Sequence, residues 1–299
     1  MFNIIPKRKI WFTISSILVV GSLLAIFVNG LKLGIDFTGG SLLEIKLADS
    51  AAKTSAVEAS ILDALPSLEE IKVQSSGAAQ FIVRTKELSE PEHQLVLESL
   101  TEFGEVDELR FESIGPTLGQ ELKDKAITAL IVASIVIILY IAWSFRKVLE
   151  PIQSWKYGVG AIAALVHDVI ITTGIFSFFT HYGNYQVDAL FITALLVVLG
   201  YSVNDTIVVY DRIRENVLNK HIKHFEDLVN QSVNETITRS INTSLTTLLV
   251  LLTLFFFGGA SIQGFILALI IGVVIGTYSS IFLASPVLVV WAQYGKRKK

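Results

Sequence analysis

No cysteine occurs anywhere in the 299 residues. That absence excludes disulfide frameworks and thiolate metal sites. Charge is scarce as well. Asp, Glu, Lys and Arg make up 17% of the chain, where a soluble globular protein carries about a quarter. Catalytic signatures are also missing. There is no Ser-His-Asp arrangement, no metal-ligand spacing and no nucleotide motif, and the glycine-rich stretch Gly34 to Gly40 is not followed by a lysine at the phosphate-loop interval. Enzyme chemistry and a bound cofactor are therefore not expected. In place of charge there is apolar mass: hydrophobic residues make up 52% of the chain and the mean hydropathy is +0.60.

The apolar residues are gathered into runs. A helical span needs about twenty mostly apolar residues. Six segments qualify, at about 10–29, 126–145, 157–179, 187–210, 240–257 and 264–291. The first follows Lys7, Arg8 and Lys9. It is long for a signal-peptide core and lacks a small-x-small cleavage site, so it reads as a retained anchor. The basic residues Arg146, Lys147, Lys156, Arg212, Arg214, Lys220, Lys223 and Lys296 to Lys299 all fall on the same side as Lys7 to Lys9, whereas the loops at His181 to Gln186 and Gly258 to Gln263 have none. This asymmetry predicts both termini in the cytoplasm and residues 30–125 outside. Small residues at Gly158, Gly160, Gly272 and Gly276 suit close helix packing.

Residues 30–125 have ordinary soluble composition and carry eighteen acidic against nine basic side chains. Strands are expected at Ser41 to Leu47, Glu70 to Gln74, Gln80 to Thr85 and Val106 to Ser113. Capping-box patterns at Ser55-x-x-Glu58 and Ser89-x-x-Glu92 open two helices, the second with Pro91 in its first turn. The β-α-β-β-α-β order predicts a ferredoxin-like α+β domain. The chain thus reads as an α-helical polytopic membrane protein of six transmembrane helices with an inserted ferredoxin-like periplasmic domain. Its parts are 1–29 (N-terminus and first helix), 30–125 (outer domain), 126–292 (five-helix bundle) and 293–299 (basic tail).

Ionisable residues inside spans are costly and default to function. Asp205 lies about six residues before Asp211, roughly 9 Å inside its helix, with Ser202, Asn204 and Thr206 around it. It can be a proton-carrying group or a structural hydrogen-bond acceptor. Arg239 heads a polar stripe with Asn242, Thr243 and Thr246. A stripe of that kind faces protein or water, although a snorkelling boundary arginine also fits. His167 and Asp168 sit near the middle of the third span, as a proton relay or as packing hydrogen bonds. Asp211 to Glu215 reads as a charged structural cap. On this pattern the third, fourth and fifth spans hold the working residues, and the first, second and sixth serve as lipid-facing support.

These features together resemble the SecD/SecF family of protein-export membrane proteins, within the resistance-nodulation-division superfamily. The resemblance is carried by Gly-Ile-Asp-Phe-Thr-Gly-Gly at Gly34 to Gly40, His-Asp-Val-Ile-Ile-Thr from His167, Gly-Tyr-Ser-Val-Asn-Asp-Thr-Ile-Val-Val from Gly200, Asp-Arg-Ile-Arg-Glu-Asn from Asp211 and Phe-Gly-Gly at Phe257 to Gly259. It implies a proton-driven subunit in the bacterial inner membrane that acts late in preprotein translocation. The implied partners are SecD as obligate heteromer, the SecYEG channel, YajC, the translocating preprotein and, indirectly, SecA; nucleic acid is not among them. Asp205 and Arg239 match the family's proton-responsive Asp and Arg. A small-molecule or lipid exporter half and a passive scaffold are the alternatives.

Overall fold

The computed structural model describes residues 2–49, 51–68, 71–77, 79–146, 153–183, 185–219 and 224–297. Lys147, Lys220, Lys223, Lys298 and Lys299 from the charge asymmetry, and Glu70 from the expected second strand, lie outside the described residues. The chain divides into two compact units. One comprises Met1–Leu31, Ala129–Tyr185 and Leu190–Lys299; the other comprises Lys32–Thr128 and Gln186–Ala189.

Helix α1 (Arg8–Asn29) is mostly apolar after Arg8 and Lys9 and ends at Gly30. The second unit begins just beyond it. The short helix α2 (Ile35–Thr38) precedes β1 (Gly40–Leu47), α3 (Thr54–Ala64), β2 (Ile71–Gly77), β3 (Gln80–Thr85), α4 (Glu90–Leu100) and β4 (Val106–Ile114). The strands lie in the order β2-β3-β1-β4 with every neighbouring pair antiparallel, which is the ferredoxin-like arrangement expected. Alternation puts Leu43, Ile45 and Leu47 of β1 on one face, where they meet Val57 and Ile61 of α3 and Val96 and Leu100 of α4 in an apolar core. Two adjacent glycines fix the entry to β1. Gly39 has φ +77° and Gly40 φ +130°, and a Cβ on Gly40 would lie 2.6 Å from the Thr85 carbonyl oxygen. A side chain here would be both strained and obstructed.

The capping box at Ser89 forms: the Glu92 carboxylate accepts from the Ser89 backbone N–H at 2.8 Å and from its hydroxyl at 2.7 Å. The box expected at Ser55 does not form. Helix α3 begins two residues sooner than a Ser55 cap would set, at Thr54, with Lys53 as its cap residue and no side-chain capping bond. Ser55 is therefore already inside the first turn. The loop 186–189 belongs with this unit through backbone bonds. Gly34 N–H donates to Val187 O at 2.8 Å, Val187 N–H to Lys32 O at 2.8 Å, and Ala189 N–H to the Asp36 carboxylate at 2.7 Å.

The remaining helices are α5 (Pro116–Ser144), α6 (Ser154–Tyr182), α7 (Ala189–Asn219), α8 (Phe225–Phe257), α9 (Ala260–Ser279) and α10 (Ser285–Arg297), with a π-helical turn (Ser280–Ala284) joining the last two. Among the described residues six helical stretches are long and apolar enough to cross a membrane. They outrun the apolar windows. Helix α5 starts ten residues before the expected span at 126, and α8 fifteen before 240. An apolar run measures the thickness of the hydrocarbon layer, not the length of the helix.

The expectation for the sixth span was wrong. Of the residues in its apolar window 61% are buried, against 11% for the first span and 6% for the second. Its glycines explain why. A Cβ on Gly272 would lie 2.1 Å from a Val198 methyl, and one on Gly276 would lie 2.9 Å from the Ser202 Cβ. Helices α9 and α7 approach too closely for any larger residue.

Candidate functional site

Two carboxylates sit inside the helical unit. Asp168 of α6 is fully buried. Its Oδ2 accepts from Ser202 Oγ of α7 at 2.5 Å and from Ser279 Oγ of α9 at 2.7 Å, while Oδ1 lies 2.9 Å from Nδ1 of His167. An ionised carboxylate only accepts, so charged Asp168 requires the proton on His167 Nδ1; protonated Asp168 can donate to a bare Nδ1 instead. The other ring nitrogen, Nε2, is buried with no hydrogen-bond partner among the described residues. The side chains of adjacent residues on a helix diverge by about 100°, yet the imidazole folds back onto its neighbour, so this pair binds each other.

Asp205 of α7 is half-buried. One oxygen accepts from Ser240 Oγ of α8 at 2.5 Å, and the other accepts from Ser280 Oγ at the start of the π-turn. Neighbouring serines, Ser279 and Ser280, thus serve the two different carboxylates. Ser202 lies three residues before Asp205 but donates to Asp168, because its side of α7 faces α6 and α9.

Arg239 of α8 lies within electrostatic range of Asp205. Among the described residues neither a hydrogen bond nor an ion pair engages its guanidinium, and its side chain is exposed. Asn242, Thr243 and Thr246 are exposed with it, as is Asn204 of α7. The polar stripe of α8 therefore lies on the outside of this chain, and the buried face of α8 is built from Ser232, Thr236, Ser240 and Ser244. The charged cap at the far end of α7 is structural in form: Arg212 binds Glu215 at 2.5 Å and Glu235 at 2.6 Å, and Asn216 donates to Ser232 at 2.8 Å.

The site thus unites Asp168, His167 and Ser202 as one cluster and Asp205 as a second, with Arg239 at its edge and Asn204 facing away. Sequence reasoning missed Ser240, Ser279 and Ser280. The available signal was a hydroxyl pair in the middle of an apolar span, just before Pro286. In chemical terms the arrangement holds two carboxyl groups in hydroxyl cradles. Each hydroxyl donates to a carboxylate and can accept from a carboxylic acid, so the cradle fits both protonation states.

Residues 96–294 match the family model for the C-terminal part of the protein export membrane proteins SecD/SecF, and residues 24–51 match the SecD/SecF GG motif. The chain is 42% identical to protein translocase subunit SecF of Thermobaculum terrenum, covering 97% of this chain and 94% of that one. It is 36% identical to the SecF subunit of Pseudomonas aeruginosa, over 96% and 90% of the two chains. Among solved structures it resembles SecDF, a translocon-associated membrane protein from Thermus thermophilus, with a TM-score of 0.82 and 33% identity over 98% of this chain. The super-membrane-facing form of SecDF matches with a TM-score of 0.70 and 34% identity over 99% of this chain. In both cases this chain covers 39% of the longer SecDF chain.

Proposed function

The chain belongs to the SecD/SecF family of protein-export membrane proteins, as a SecF-type translocase subunit, and from that premise we propose that it couples the proton-motive force to late preprotein translocation and release. The observation that carries this reading is Asp205: a carboxylate in the apolar part of a span, held by two hydroxyls and within electrostatic range of a guanidinium it does not bind. Proton uptake at Asp205 removes its attraction to Arg239, and proton loss restores it. Each charge moved across the membrane contributes about 2.3 kcal/mol per 100 mV, so a few protons bias a two-state element. The energy comes from the gradient rather than from any reaction on this chain.

The exposed stripe of Arg239, Asn242, Thr243 and Thr246 supports a membrane partner with complementary polar groups. We assign that place to SecD, with SecYEG, YajC and the preprotein as further partners. The Lys and Arg distribution supports both termini in the cytoplasm and Lys32–Thr128 on the periplasmic side. Single cysteines introduced into this cysteine-free chain and labelled from either side test that orientation.

Asp205→Asn, assembled with SecD in proteoliposomes, is expected to lose gradient-driven export while still co-purifying with SecD. Normal export by that variant removes the proposal. A passive scaffold is the second reading, favoured by the full set of hydrogen bonds to Asp168. It predicts that Asp168→Asn and Asp205→Asn both weaken assembly and leave the gradient dependence of the remaining export unchanged.

A further inference from the structure

The two carboxylates are served by consecutive residues at a special point of the backbone. Ser279 closes α9 and Ser280 opens the π-turn. Both are fully buried. Pro286 gives the turn its local cause. It has no N–H, and its ring would strike the carbonyl of Phe282 in an unbroken α-helix. Widening the helix by one residue relieves that collision. Side chains attend to the carbonyls of the turn: Ser285 Oγ donates to Ser280 O at 3.0 Å, and the Tyr210 hydroxyl donates to Ala284 O at 3.1 Å.

Each of the two serines has a choice of acceptor. Ser279 Oγ lies 2.7 Å from the Asp168 carboxylate and 3.1 Å from Gly276 O. Ser280 Oγ reaches the Asp205 carboxylate and also lies 3.0 Å from Thr277 O. One hydroxyl proton cannot serve both acceptors fully. While the carboxylate is charged, the proton is best spent there, because a hydrogen bond to a charged group is the stronger one. Once the carboxyl group carries a proton it becomes a donor. The hydroxyl then accepts from it and turns its own proton back to the helix carbonyl. Nothing needs to leave or enter the cradle, and the backbone of α9 feels the difference.

We propose that Ser279 and Ser280 are positioning residues that join Asp168 and Asp205 into one coupled titrating unit, with the π-turn as the flexible segment through which a charge change at one carboxylate is felt by the other. This rests on the proton-coupling reading of Asp205 and deepens it. The other titratable or charged groups against the pair, among the described residues, are His167 on Asp168, Tyr278 of α9, whose ring stacks on His167 at 6.1 Å, and Arg239 of α8 facing Asp205. None of them contacts both carboxylates; Ser279 and Ser280, adjacent in the chain, contact one each.

The test is a titration cycle on the complex with SecD in membranes. The protonated-carboxyl infrared band of Asp205, assigned by its loss in Asp205→Asn, is followed against pH. Asp168→Asn is expected to move the Asp205 midpoint by about one pH unit, the scale at which two sites titrate as a pair. With Ser279→Ala and Ser280→Ala together, the same Asp168→Asn change is expected to move it by less than about a third of that. Ser279→Thr with Ser280→Thr keeps both hydroxyls and should retain the larger shift. Should the alanine pair not assemble, a Ser279→Cys and Ser280→Cys pair of near-equal size and weak donor strength takes its place, with the same reduced shift expected. An undiminished shift without the hydroxyls, or none with them, overturns the proposal. Export measured on the same samples keeps the two ideas apart. Normal export by Asp205→Asn sinks the proton-driven function and leaves the titration cycle to decide the coupling.

Discussion

The two units of this chain solve the burial problem in opposite directions. In the ferredoxin-like unit the core is a cluster of Leu, Ile, Val and Phe side chains, with the ion pairs Arg110–Glu112 and Glu121–Lys125 outside it and Glu44 and His93 the buried titratable groups. In the helical unit the outer faces of α1 and α5 are lined with Leu, Ile and Val, while Asp168, His167 and a set of serines and threonines are inside. Both obey one rule. Most buried polar groups have partners built around them, and extended apolar faces turn outward where the solvent is apolar too. The difference shows where function can be stored. The apolar cluster of the ferredoxin-like unit holds no carboxylate, whereas the helical unit has placed four hydroxyls and one imidazole around two of them.

The sharpest way to break this contrast is to place a carboxylate in the wrong core. Val83 is 2% exposed and has only apolar neighbours in its cluster. Val83→Asp should cost several kcal/mol, enough to unfold the sheet. Hydrogen exchange on the full-length protein should then show protection lost across all four strands and retained in α6 and α9. Retained protection in the sheet would mean that the partners around Asp168 matter less than argued here. A smaller effect is expected from Gly276→Val, which forces α9 away from Ser202. Overpacking of this kind costs about 1–3 kcal/mol, read as lower thermal stability of the complex with the sheet unaffected.

The smallest effect sharpens the other half of the contrast. Backbone and hydroxyl hydrogen bonds from Ser89 hold the Glu92 carboxyl below its ordinary value. A depressed carboxylate contributes stability that is present above its unfolded pKa, about 4.3, and lost as pH falls through the folded value. Exchange protection at the start of α4 should decline over that acidic window in the wild type, and Glu92→Gln should flatten the decline. A wild-type protection that does not change with pH would contradict the cap.

Much of the fold was legible because two periodicities differ so plainly. Period-two alternation marked Ser41 to Leu47 and Gln80 to Thr85, and runs of twenty apolar residues marked the spans. The Ser89 cap was readable since Pro91 reinforces it; Ser55 carried the same pattern, but the chain turned helical two residues sooner. The candidate site was legible mainly where charge was involved. Asp205, Asp168, His167 and Arg239 stand out in an apolar run because each is expensive there, and Ser202 was noticed beside Asp205. Ser240, Ser279 and Ser280 do not stand out, since a hydroxyl in a span can satisfy itself on the carbonyl one turn back, as Ser244 does on Ser240. Only packing reveals that these hydroxyls reach a carboxylate. The sixth span was misjudged for a related reason. Composition cannot tell an apolar helix facing lipid from one buried against its neighbours.

The guanidinium of Arg239 carries five N–H donors on the exposed side of α8, and among the described residues nothing accepts from them. In a cell this bears on subunit supply. A chain without its partner displays a polar group that the bilayer tolerates poorly. Assembly would hide that group. Under the proposed function the same arginine would answer to charge in the complex and set the paired subunit apart from the unpaired one.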